Sequence, residues 1–416
     1  MKHFSSTNTP VYAFTGGGTA GHLNPSLAVA DTLKTLDPEA SWYYVASRSG
    51  QEAQILADRG DSYFVVDAAP IPLRRRAWPY FFMSNTKGYE EARKLFRKNR
   101  PKALFATGGF AAGPAALAAL SMKIPLVIHE QNAFPGRLNR YLGPYAHTVC
   151  LAMGKAAVYF PKGTKLVETG NPVRAEFFNQ DRQAARAKLG LKDSDILVIA
   201  LGGSRGAQAI TESVIGLQAF PAWHEFLAKL RAQGRFLKLV LGTGRVNGAP
   251  GQACLDFQAL ADDRGDPLPF DLKLLPYLAT TEYFPAADLF VGRSGATTCC
   301  ELAASGLPAI FIPFPQAVAN HQLYNANFYA EGGGSWVLEE KDLDPGSLTK
   351  LMEKLIADPT ALDQSRRSMR ALAVEDAARR CVQILQEAGE GRTQSGPAQS
   401  GQAPLTPPGS GSSHGI

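Results

Sequence analysis

The sequence has few cysteines and no long apolar run. Its five cysteines among 416 residues are odd in number, scattered and without CxxC spacing, which argues against a disulfide framework and against a zinc site. The longest apolar stretch, FAAGPAALAALSM, starts at Phe110, contains Pro114 and stops before Lys123. It is therefore shorter than the roughly 20 residues of a transmembrane helix. The N-terminal MKHFSSTNTPVYAF lacks the apolar core of a signal peptide, so we expect a reducing, cytoplasmic compartment.

Several nucleotide and metal signatures are also missing. The glycine turn in TGGGTAGHLNPSLAVA does not have the GxGxxG register, and the second strand ends at Ser47 and Arg48 rather than at an acidic ribose-binding residue. This disfavours an NAD-dependent oxidoreductase. The turn LGGSRGAQAI lacks GxxxxGK[ST] spacing, which disfavours Walker-type phosphoryl transfer. No Asp-x-Asp pair follows a strand, since the candidates lie before a strand at 193–195 and in a polar turn at 342–344.

What is present indicates two α/β domains. Short β-rich runs alternate with amphipathic helical stretches, which is typical of βα units and parallel sheets. The pattern begins at the glycine turn 16–21 and restarts at 202–206. We predict two Rossmann-like domains, residues 10–173 and 174–374, facing a deep cleft where the strand ends bind ligand. The segment 390–416 is poor in apolar residues and is predicted to be disordered. The net charge of +6 favours an anionic partner.

The three glycine-containing turns supply candidate site residues. In the first turn, Asn24 and Pro25 suit the N-cap and first position of a helix, and His22 is either a cleft base or a residue that only caps the turn. In the second turn, Ser204 and a helix N-terminus suit a diphosphate. The third, residues 292–330, offers Glu301, whose carboxylate suits a sugar diol, unless it is a solvated helix residue. It ends in a polar loop, or an ordinary helix start, with Asn320, His321, Gln322 and Asn325.

Six ordered motifs closely resemble the MurG family of GT-B glycosyltransferases: GGTAGHLNPSLAVA, ATGGFAAGPAALAA, HEQNAFPGRLN, TGNPVR, LGGSRGAQ and RSGATTCCELAASGLPAIFIPFP followed by HQLYNA. The resemblance runs from about Val11 to about Gly389. The family moves N-acetylglucosamine (GlcNAc) from UDP-GlcNAc to the 4-hydroxyl of N-acetylmuramoyl-pentapeptide on undecaprenyl pyrophosphate. It implies a GT-B fold, with a C-terminal domain that binds the UDP-sugar and a last helix, about 375–389, that packs back on the N-terminal, acceptor-binding domain. Asn320 stands where an aspartate is common.

The resemblance also implies the donor-binding residues. Asn132 would contact GlcNAc, and Arg174 and Ser204 would approach the phosphates. Tyr277 would offer its backbone to uracil, and Glu301 would bind the ribose hydroxyls. The implied UDP-GlcNAc site as a whole consists of Thr19, Ala20, Gly21, Asn132, Arg174, Ser204, Tyr277, Ala296, Thr297, Thr298, Cys299, Cys300, Glu301, His321 and Gln322.

Transfer from an α-linked donor to a β-linked product requires a base for the acceptor hydroxyl and stabilisation of the departing UDP. His22 is the first candidate base; Glu130 is the second, or else it orients His22. Backbone amides of the glycine turns, Arg174 and the helix starting near Ser294 would stabilise the leaving group, so no metal or other cofactor is expected. Three alternatives stay open: a UDP-GlcNAc epimerase of the same fold, a Rossmann oxidoreductase and a non-catalytic nucleotide-sugar binding module.

The stretch IPLRRRAWPYFFM, residues 71–83, joins three arginines to aromatic residues. No nucleic-acid-binding fold accompanies it, so a nucleic-acid partner is not expected. A lipid-linked acceptor favours peripheral attachment to an anionic surface, the cytoplasmic face of the inner membrane, beside possible cell-wall synthesis proteins. The predicted membrane contacts are Ile71, Leu73, Arg74, Arg75, Arg76, Tyr80 and Phe81. Helical spacing assigns Phe82, Tyr89, Ala92 and Phe96 to the core instead.

Overall fold

The computed structural model describes residues 11–17, 20–48, 50, 52–72, 74–202, 207–246, 249–250 and 271–391. The predictions for Thr19, Leu73, Ser204 and the tail after residue 391 lie outside these residues, as does the side chain of Ala20.

The described residues contain fifteen strands. In chain order they are β1 Val11–Thr15, β2 Ser41–Ser47, β3 Tyr63–Val66, β4 Leu104–Ala106, β5 Leu126–Glu130, β6 Thr148–Leu151, β7 Leu166–Glu168, β8 Asp195–Leu201, β9 Phe236–Gly242, β10 Arg245–Val246, β11 Ala249–Pro250, β12 Asp271–Leu275, β13 Leu289–Gly292, β14 Ala309–Phe311 and β15 Ser335–Val337.

Fourteen α-helices lie in the same described ranges. They are α1 Ala20–Leu36, α2 Glu52–Arg59, α3 Trp78–Lys98, α4 Gly113–Ser121, α5 Arg137–Leu142, α6 Arg182–Lys188, α7 Gln208–Gly216, α8 Pro221–Ala232, α9 Thr280–Tyr283, α10 Ala296–Ser305, α11 His321–Glu331, α12 Pro345–Ile356, α13 Pro359–Ala371 and α14 Ala377–Glu390. Short 3₁₀ turns at Arg75–Ala77 and Val318–Asn320 precede α3 and α11.

The first sheet has seven parallel strands in the order β3-β2-β1-β4-β5-β6-β7. Its strands are continuous apolar runs because helices cover both faces. The order reverses between β1 and β4, where Ala13 pairs with Leu104 and Thr15 with Ala106. In such sheets ligands bind beside the carboxyl ends of the strands at this reversal. The turns after β1 and β4 therefore border the expected site.

The second sheet repeats this arrangement with six parallel strands, in the order β12-β9-β8-β13-β14-β15. Its strand order reverses between β8 and β13, where Val198 pairs with Leu289. The strand DILVIAL of β8 is buried over six of its seven residues. The helix that follows β13, α10, thus starts at the second reversal point and faces the same cleft as the turns of the first sheet.

The last helix, α14, returns to the first sheet. Its buried side chains Cys381, Val382 and Leu385 share an apolar cluster with Tyr12 and Phe14 of β1. The helix ends at Glu390 and is followed by Gly391, whose positive φ of 71° suits a glycine C-cap. The chain therefore crosses between the two sheets twice, once after β7 and once before α14, which limits how freely the two halves can move.

Candidate active site in the interdomain cleft

The turns after β1 and β4 approach each other closely. The N–H of Gly17 donates to the carbonyl of Gly108 at 3.3 Å. Gly109 has a φ of 74°, and a Cβ there would overlap the carbonyl oxygen of Gly17. The same Cβ would lie 3.1 Å from Cδ2 of His22. Only glycine fits this position without displacing the turn that carries His22.

His22 lies in the first turn of α1, half-buried at the cleft. Its Nδ1 is 3.2 Å from the carbonyl oxygen of Thr107 and 3.2 Å from Oε1 of Gln131. Because both partners are acceptors, the neutral ring carries its proton on Nδ1. Nε2 then keeps its lone pair, and no described residue hydrogen-bonds to it. This is the tautomer that a general base needs.

Glu130 ends β5 and is almost fully buried. Its Oε1 accepts from the N–H of Asn132 at 2.9 Å and from Nδ2 of Asn132 at 3.1 Å. Its Oε2 accepts from the N–H of Gly136 at 2.9 Å and from Nδ2 of Asn139 at 2.8 Å. Both carboxylate oxygens are occupied, and neither contacts His22. The structure thus contradicts the predicted role of Glu130 as the orienter of His22, since it bonds to the loop after β5 and to the start of α5 instead; its role as the second candidate base stays a prediction.

Asn132 is held from both sides. Its Nδ2 donates to Glu130, and its Oδ1 accepts from Nδ2 of Asn325 at 3.2 Å. One amide hydrogen and one lone pair remain for a sugar. Asn325 is fully buried and joins the two domains, because its Oδ1 accepts from the N–H of Ala133 at 2.9 Å and its Nδ2 donates to the carbonyl of Ser294 at 3.1 Å.

The segment from His321 onward is the helix α11, so the polar-loop prediction is wrong and the alternative of a helix start is right. Aromatic rings strengthen its contact with the first domain: Tyr324 lies 5.0 Å from Phe134 between ring centroids. Lys155 of the first domain forms an ion pair with Glu331 at the other end of the helix. The first domain therefore contacts α11 near both of its ends.

The start of α1 makes another contact across the cleft. The helix begins at Ala20 and contains Pro25, so the predicted N-cap at Asn24 is wrong. Proline has no N–H, which leaves the carbonyl of Gly21 without its helical donor. The hydroxyl of Thr297, in the first turn of α10, donates to this carbonyl at 3.3 Å. The tertiary contact therefore replaces the hydrogen bond that the proline removes.

The N-terminus of α10 faces the cleft. Its N-cap, Gly295, supplies no side-chain cap, and the N–H of Cys299 is the first to bond within the helix, to the carbonyl of Gly295 at 2.9 Å. The N–H groups of Ala296, Thr297 and Thr298 precede that bond and are available to an anion. All three residues are partly buried, and their role in binding phosphate stays a prediction.

Cys299 and Cys300 do not belong to this surface. Both side chains are buried in the core of the second domain, and the thiol of Cys300 lies 3.4 Å from the hydroxyl of Tyr329. Burial raises the pKa of Cys299 well above its usual value and that of Cys300 to about 11. Their side chains therefore do not reach the donor, because on a helix they face the sheet when Thr297 and Thr298 face the cleft; a contact through their backbone stays a prediction.

Glu301 is the acidic group of the cleft. Burial raises the pKa of its carboxyl to about 7, against the opposing effect of the nearby positive charge of Arg174. No described residue donates a hydrogen bond to it, in contrast to Glu130. Arg174 is exposed, stacks over the ring of Phe177 at 5.1 Å and forms a loose ion pair with Glu176 at 3.7 Å. A partly buried carboxylate without donors suits a ligand that brings hydroxyl groups.

His321 and Gln322 begin α11. Nδ1 of His321 donates to the carbonyl of Val318 at 2.8 Å, which leaves Nε2 as an acceptor. Burial lowers the pKa of His321, and the nearby His22 lowers it further, against the opposing effect of the hydrogen bond to Val318. Oε1 of Gln322 accepts from the N–H of Phe314 at 3.0 Å, which leaves its amide hydrogens for a ligand.

The backbone before α11 has an unusual conformation. Ala319 and Asn320 both have positive φ, 52° and 55°. The left-handed conformation is unfavourable for alanine and tolerated by asparagine. Such strain is often found at binding sites. Tyr277, in the loop after β12, is 72% exposed and keeps its backbone role only as a prediction.

The basic and aromatic segment projects from the first domain. Arg74, Arg75 and Arg76 are exposed, as predicted, and so are Ile71 and Tyr80. Two predictions fail there: Phe82 is 59% exposed rather than in the core, and Phe81 is half-buried rather than free. The buried face of α3 consists of Ser84, Gly88, Ala92 and Phe96, and Tyr89 lies beside it partly buried.

Trp78, Phe81 and Phe82 form a ring cluster with centroids 5.4–5.6 Å apart, and the neighbouring Met83 is 66% exposed. Trp78, Phe82 and Met83 therefore join the exposed surface, which we call the α3 apex: Ile71, Arg74, Arg75, Arg76, Trp78, Tyr80, Phe82 and Met83. Across the described ranges, no helix has the length and apolar character needed to span a bilayer. Nor do three or more His, Cys, Asp or Glu side chains of these residues converge as they would around a metal ion.

Comparison with known proteins agrees with this geometry. Residues 12–151 match the glycosyltransferase family 28 N-terminal domain, and residues 197–381 match the C-terminal domain of the same family. A UDP-N-acetylglucosamine–N-acetylmuramyl-(pentapeptide) pyrophosphoryl-undecaprenol N-acetylglucosamine transferase of Symbiobacterium thermophilum is 35% identical over 389 residues, 92% of this chain and 98% of the relative. The chain belongs to glycosyltransferase family 28.

Within family 28, the relatives agree with one another. The transferase of the same name from Halothermothrix orenii is 34% identical and covers 91% of this chain and 99% of its own length. The crystal structure of Acinetobacter baumannii MurG superposes with a TM-score of 0.70 at 27% identity, over 91% of this chain and 99% of that one. The MurG family, the GT-B fold and the glycosyltransferase class are thereby confirmed, and the alternative enzyme classes and the binding module are set aside.

Two residues of this family 28 site, Thr107 and Gln131, were not predicted from the sequence, and Asn325 was predicted only as part of a polar loop. Gln131 and Thr107 hold the ring of His22, and Asn325 joins the two domains. Gln131 stands in the quoted motif HEQN, and Asn325 in HQLYNA, so the motifs identified the segments. Which of their polar side chains faces inward depends on the path of the chain after each strand, and the sequence carries no signal for that path.

Proposed function

We propose that this protein transfers GlcNAc from UDP-GlcNAc to the 4-hydroxyl of undecaprenyl-pyrophosphoryl-MurNAc-pentapeptide, with inversion at the anomeric carbon. The reaction is that named for its relatives from S. thermophilum and H. orenii. The observation that carries the mechanism is the environment of His22, whose Nδ1 faces two acceptors while Nε2 has no described partner. This histidine stands where the first turn of α1 meets the first turn of α10.

The donor would occupy the second domain's side of the cleft. The free N–H groups at the start of α10 and the guanidinium of Arg174 suit the diphosphate, since both carry positive charge. Glu301 would accept hydrogen bonds from both ribose hydroxyls. The backbone of the loop at Tyr277 would bind uracil.

The sugar would lie between the two histidines. Nε2 of His321 can accept from a hydroxyl, and the amide of Gln322 can donate to one, because their other polar atoms are already bonded. Asn132 retains one amide hydrogen and one lone pair for the acetamido sugar. The site thus offers both donors and acceptors, as a sugar requires.

In the transfer step, Nε2 of His22 takes the proton of the acceptor hydroxyl while that oxygen attacks the anomeric carbon and the bond to UDP breaks. General-base assistance is worth roughly 10²- to 10⁴-fold in rate. The negative charge that develops on UDP would be stabilised by the start of α10 and by Arg174. We propose that these groups suffice without a bound divalent metal.

We further propose that the α3 apex docks on an anionic membrane surface, the cytoplasmic face of the inner membrane. The three arginines would contribute at most about 1 kcal/mol each. Insertion of Phe82 and Met83, 59% and 66% exposed, would add roughly 1.5–3 kcal/mol each. These magnitudes correspond to reversible attachment, which brings the first domain to an acceptor that stays in the bilayer.

The test of the proposed reaction uses the purified full chain, labelled UDP-GlcNAc and a lipid-linked MurNAc-pentapeptide. We expect a labelled, lipid-linked disaccharide with a β linkage, and no conversion of UDP-GlcNAc to UDP-ManNAc in its absence. Binding of UDP-GlcNAc without formation of the disaccharide would contradict the proposal, and formation of UDP-ManNAc would favour an epimerase.

A further inference from the structure

Gln131 lies beneath His22 and is almost fully buried. Its Nε2 donates to the carbonyl of Thr107 at 2.8 Å and to the carbonyl of His129 at 3.3 Å. Its Oε1 is therefore turned towards Nδ1 of His22, at 3.2 Å. With the amide reversed, its oxygen would face the carbonyl oxygens of Thr107 and His129, and two acceptors would repel each other. The orientation of the amide is thus fixed by the backbone around it.

His129 fixes the same orientation from the other side. It is fully buried, and its Nε2 donates to the carbonyl of Gly170 at 3.1 Å. Burial lowers the pKa of this ring to about 4, so it is neutral and its Nδ1 is an acceptor. That atom lies 3.4 Å from Nε2 of Gln131 and shares one of its two N–H groups with the carbonyl of His129. Every hydrogen bond in the series from Gly170 through His129 and Gln131 to His22 therefore has the same direction.

We propose that Gln131 is a positioning residue that holds the proton of His22 on Nδ1, and that His129 locks the amide of Gln131 in the orientation this requires. The inference rests on the proposed function, in which Nε2 of His22 takes the proton of the acceptor hydroxyl. A neutral histidine free to exchange tautomers would spend part of its time with a proton on Nε2 and could not act as a base in that state. The amide oxygen, beside the carbonyl of Thr107, reduces this inactive fraction.

The amide also limits the charge of His22. A neutral oxygen accepts from the imidazolium that forms during transfer, without fixing the ring in its protonated form as a carboxylate would. The nearest carboxylate on the same strand end, Glu130, is engaged by Asn132, Gly136 and Asn139 and makes no bond to His22. Among the described residues, no carboxylate therefore bonds to the base.

Two variants of the full-length protein test this role with opposite expectations. In Gln131→Met the shape is kept and the acceptor is lost, so kcat is expected to fall roughly tenfold, by the value of one hydrogen bond, with KM for UDP-GlcNAc within twofold. The acid limb of the pH–rate profile should move to lower pH. In Gln131→Glu a carboxylate faces Nδ1, and the acid limb should move to higher pH by at least about one unit.

The tautomer can be observed directly. The chain has seven histidines, so ¹⁵N spectra of ring-labelled protein can be assigned by single substitutions. We expect His22 to show a protonated Nδ1 and an unprotonated Nε2 in the wild type, and a mixture in Gln131→Met. Gln54→Met is the matched control, because Gln54 is exposed and, among the described residues, its side chain bonds to Asp58 alone, at 2.7 Å. It should change neither the spectrum nor kcat.

The inference is overturned if wild-type His22 carries its proton on Nε2. It is also overturned if both Gln131 variants, folded and able to bind UDP-GlcNAc, leave kcat within twofold and the acid limb in place. His22→Ala separates this failure from that of the proposed function. If His22→Ala retains full kcat, the base assignment is wrong; if it loses activity while the Gln131 variants do not, only the role of Gln131 is wrong.

Discussion

Glu301 is expected to strengthen binding of the donor and, when ionised, to lower the free energy of unfolding of the donor-free protein. Burial raises the pKa of its carboxyl from 4.5 to about 7. Because the folded state holds the proton more tightly than the unfolded state, the free energy of unfolding falls as the pH rises from about 4.5 to 7. A shift of that size corresponds to about 3 kcal/mol. Glu301→Gln should therefore be more stable than the wild type by up to about 3 kcal/mol at pH 8, and equally stable at pH 4.

The affinity for the donor should depend on pH in the opposite direction from the stability and rise with pH. If only the carboxylate accepts the two ribose hydroxyls, the ionised fraction sets the affinity. That fraction is roughly 0.1 at pH 6 and 0.9 at pH 8 for a pKa near 7, so the affinity for UDP-GlcNAc should fall about tenfold between pH 8 and pH 6. Glu301→Gln should bind roughly 10- to 100-fold more weakly at pH 8, with no such pH dependence.

The stability prediction and the affinity prediction are tested on the same two proteins, the wild type and Glu301→Gln. Urea unfolding at pH 4 and pH 8 gives the stabilities, and calorimetric titration with UDP-GlcNAc gives the affinities. UDP-GlcNAc is preferred to UDP because its diphosphate is esterified at both ends and does not titrate in this range. Equal stability of the two proteins at pH 8, or a wild-type affinity that is the same at pH 6 and pH 8, would refute the reasoning.

Three further predictions concern the domain contact, the membrane and the metal. Thr297→Val removes the donor to the carbonyl of Gly21 and should lower kcat/KM roughly fivefold, whereas Thr297→Ser, which keeps the hydroxyl, should not; equal effects would exclude the hydrogen bond as the cause. Changing Arg74, Arg75 and Arg76 to Glu should release the protein from anionic vesicles without loss of UDP-GlcNAc binding, and Met83→Ser should weaken vesicle binding about tenfold. Val158→Ser, at a residue 81% exposed outside the α3 apex, is the matched control, and vesicle binding unchanged in all variants would contradict the docking surface. Treatment with EDTA should leave the transfer rate within twofold; a loss restored by Mg²⁺ would show that the leaving group needs a metal.

The two sheets were predictable because parallel strands are buried on both faces. Runs such as DILVIAL of β8 read as continuous apolar segments, and glycine turns mark the strand ends where the order reverses. The start of α1 was not predictable in this way. Asn24 and Pro25 make a good helix start by local rules, but the contact from Thr297 allows α1 to begin five residues before the proline.

The exposed face of α3 shows a second limit. Apolar spacing selected Phe82, Tyr89, Ala92 and Phe96, but the buried ladder is Ser84, Gly88, Ala92 and Phe96. Gly88 lies against the backbone of Asp67, where a Cβ would overlap the carbonyl oxygen. Small residues allow this close approach, but a prediction from apolar spacing does not assign them to the core. The large residues of the first turn are left exposed as a result.

The roles of neighbouring residues in HEQN could not be separated by sequence. Glu130 is the more reactive group by type, yet it accepts four hydrogen bonds from the loop after β5 and from α5, while the neutral Gln131 reaches the base. The difference arises from the direction in which the chain leaves β5. The motif therefore located the site, but the role of each residue followed only from its hydrogen-bond partners.

The central claim is that His22 is the base of the transfer, and single-turnover kinetics test it most directly. The protein is first saturated with labelled UDP-GlcNAc and then mixed rapidly with lipid-linked acceptor, for the wild type and for His22→Ala. We predict equal affinity for UDP-GlcNAc and a rate of disaccharide formation that is 10²- to 10⁴-fold lower in His22→Ala. A single-turnover rate in His22→Ala equal to that of the wild type would contradict the account.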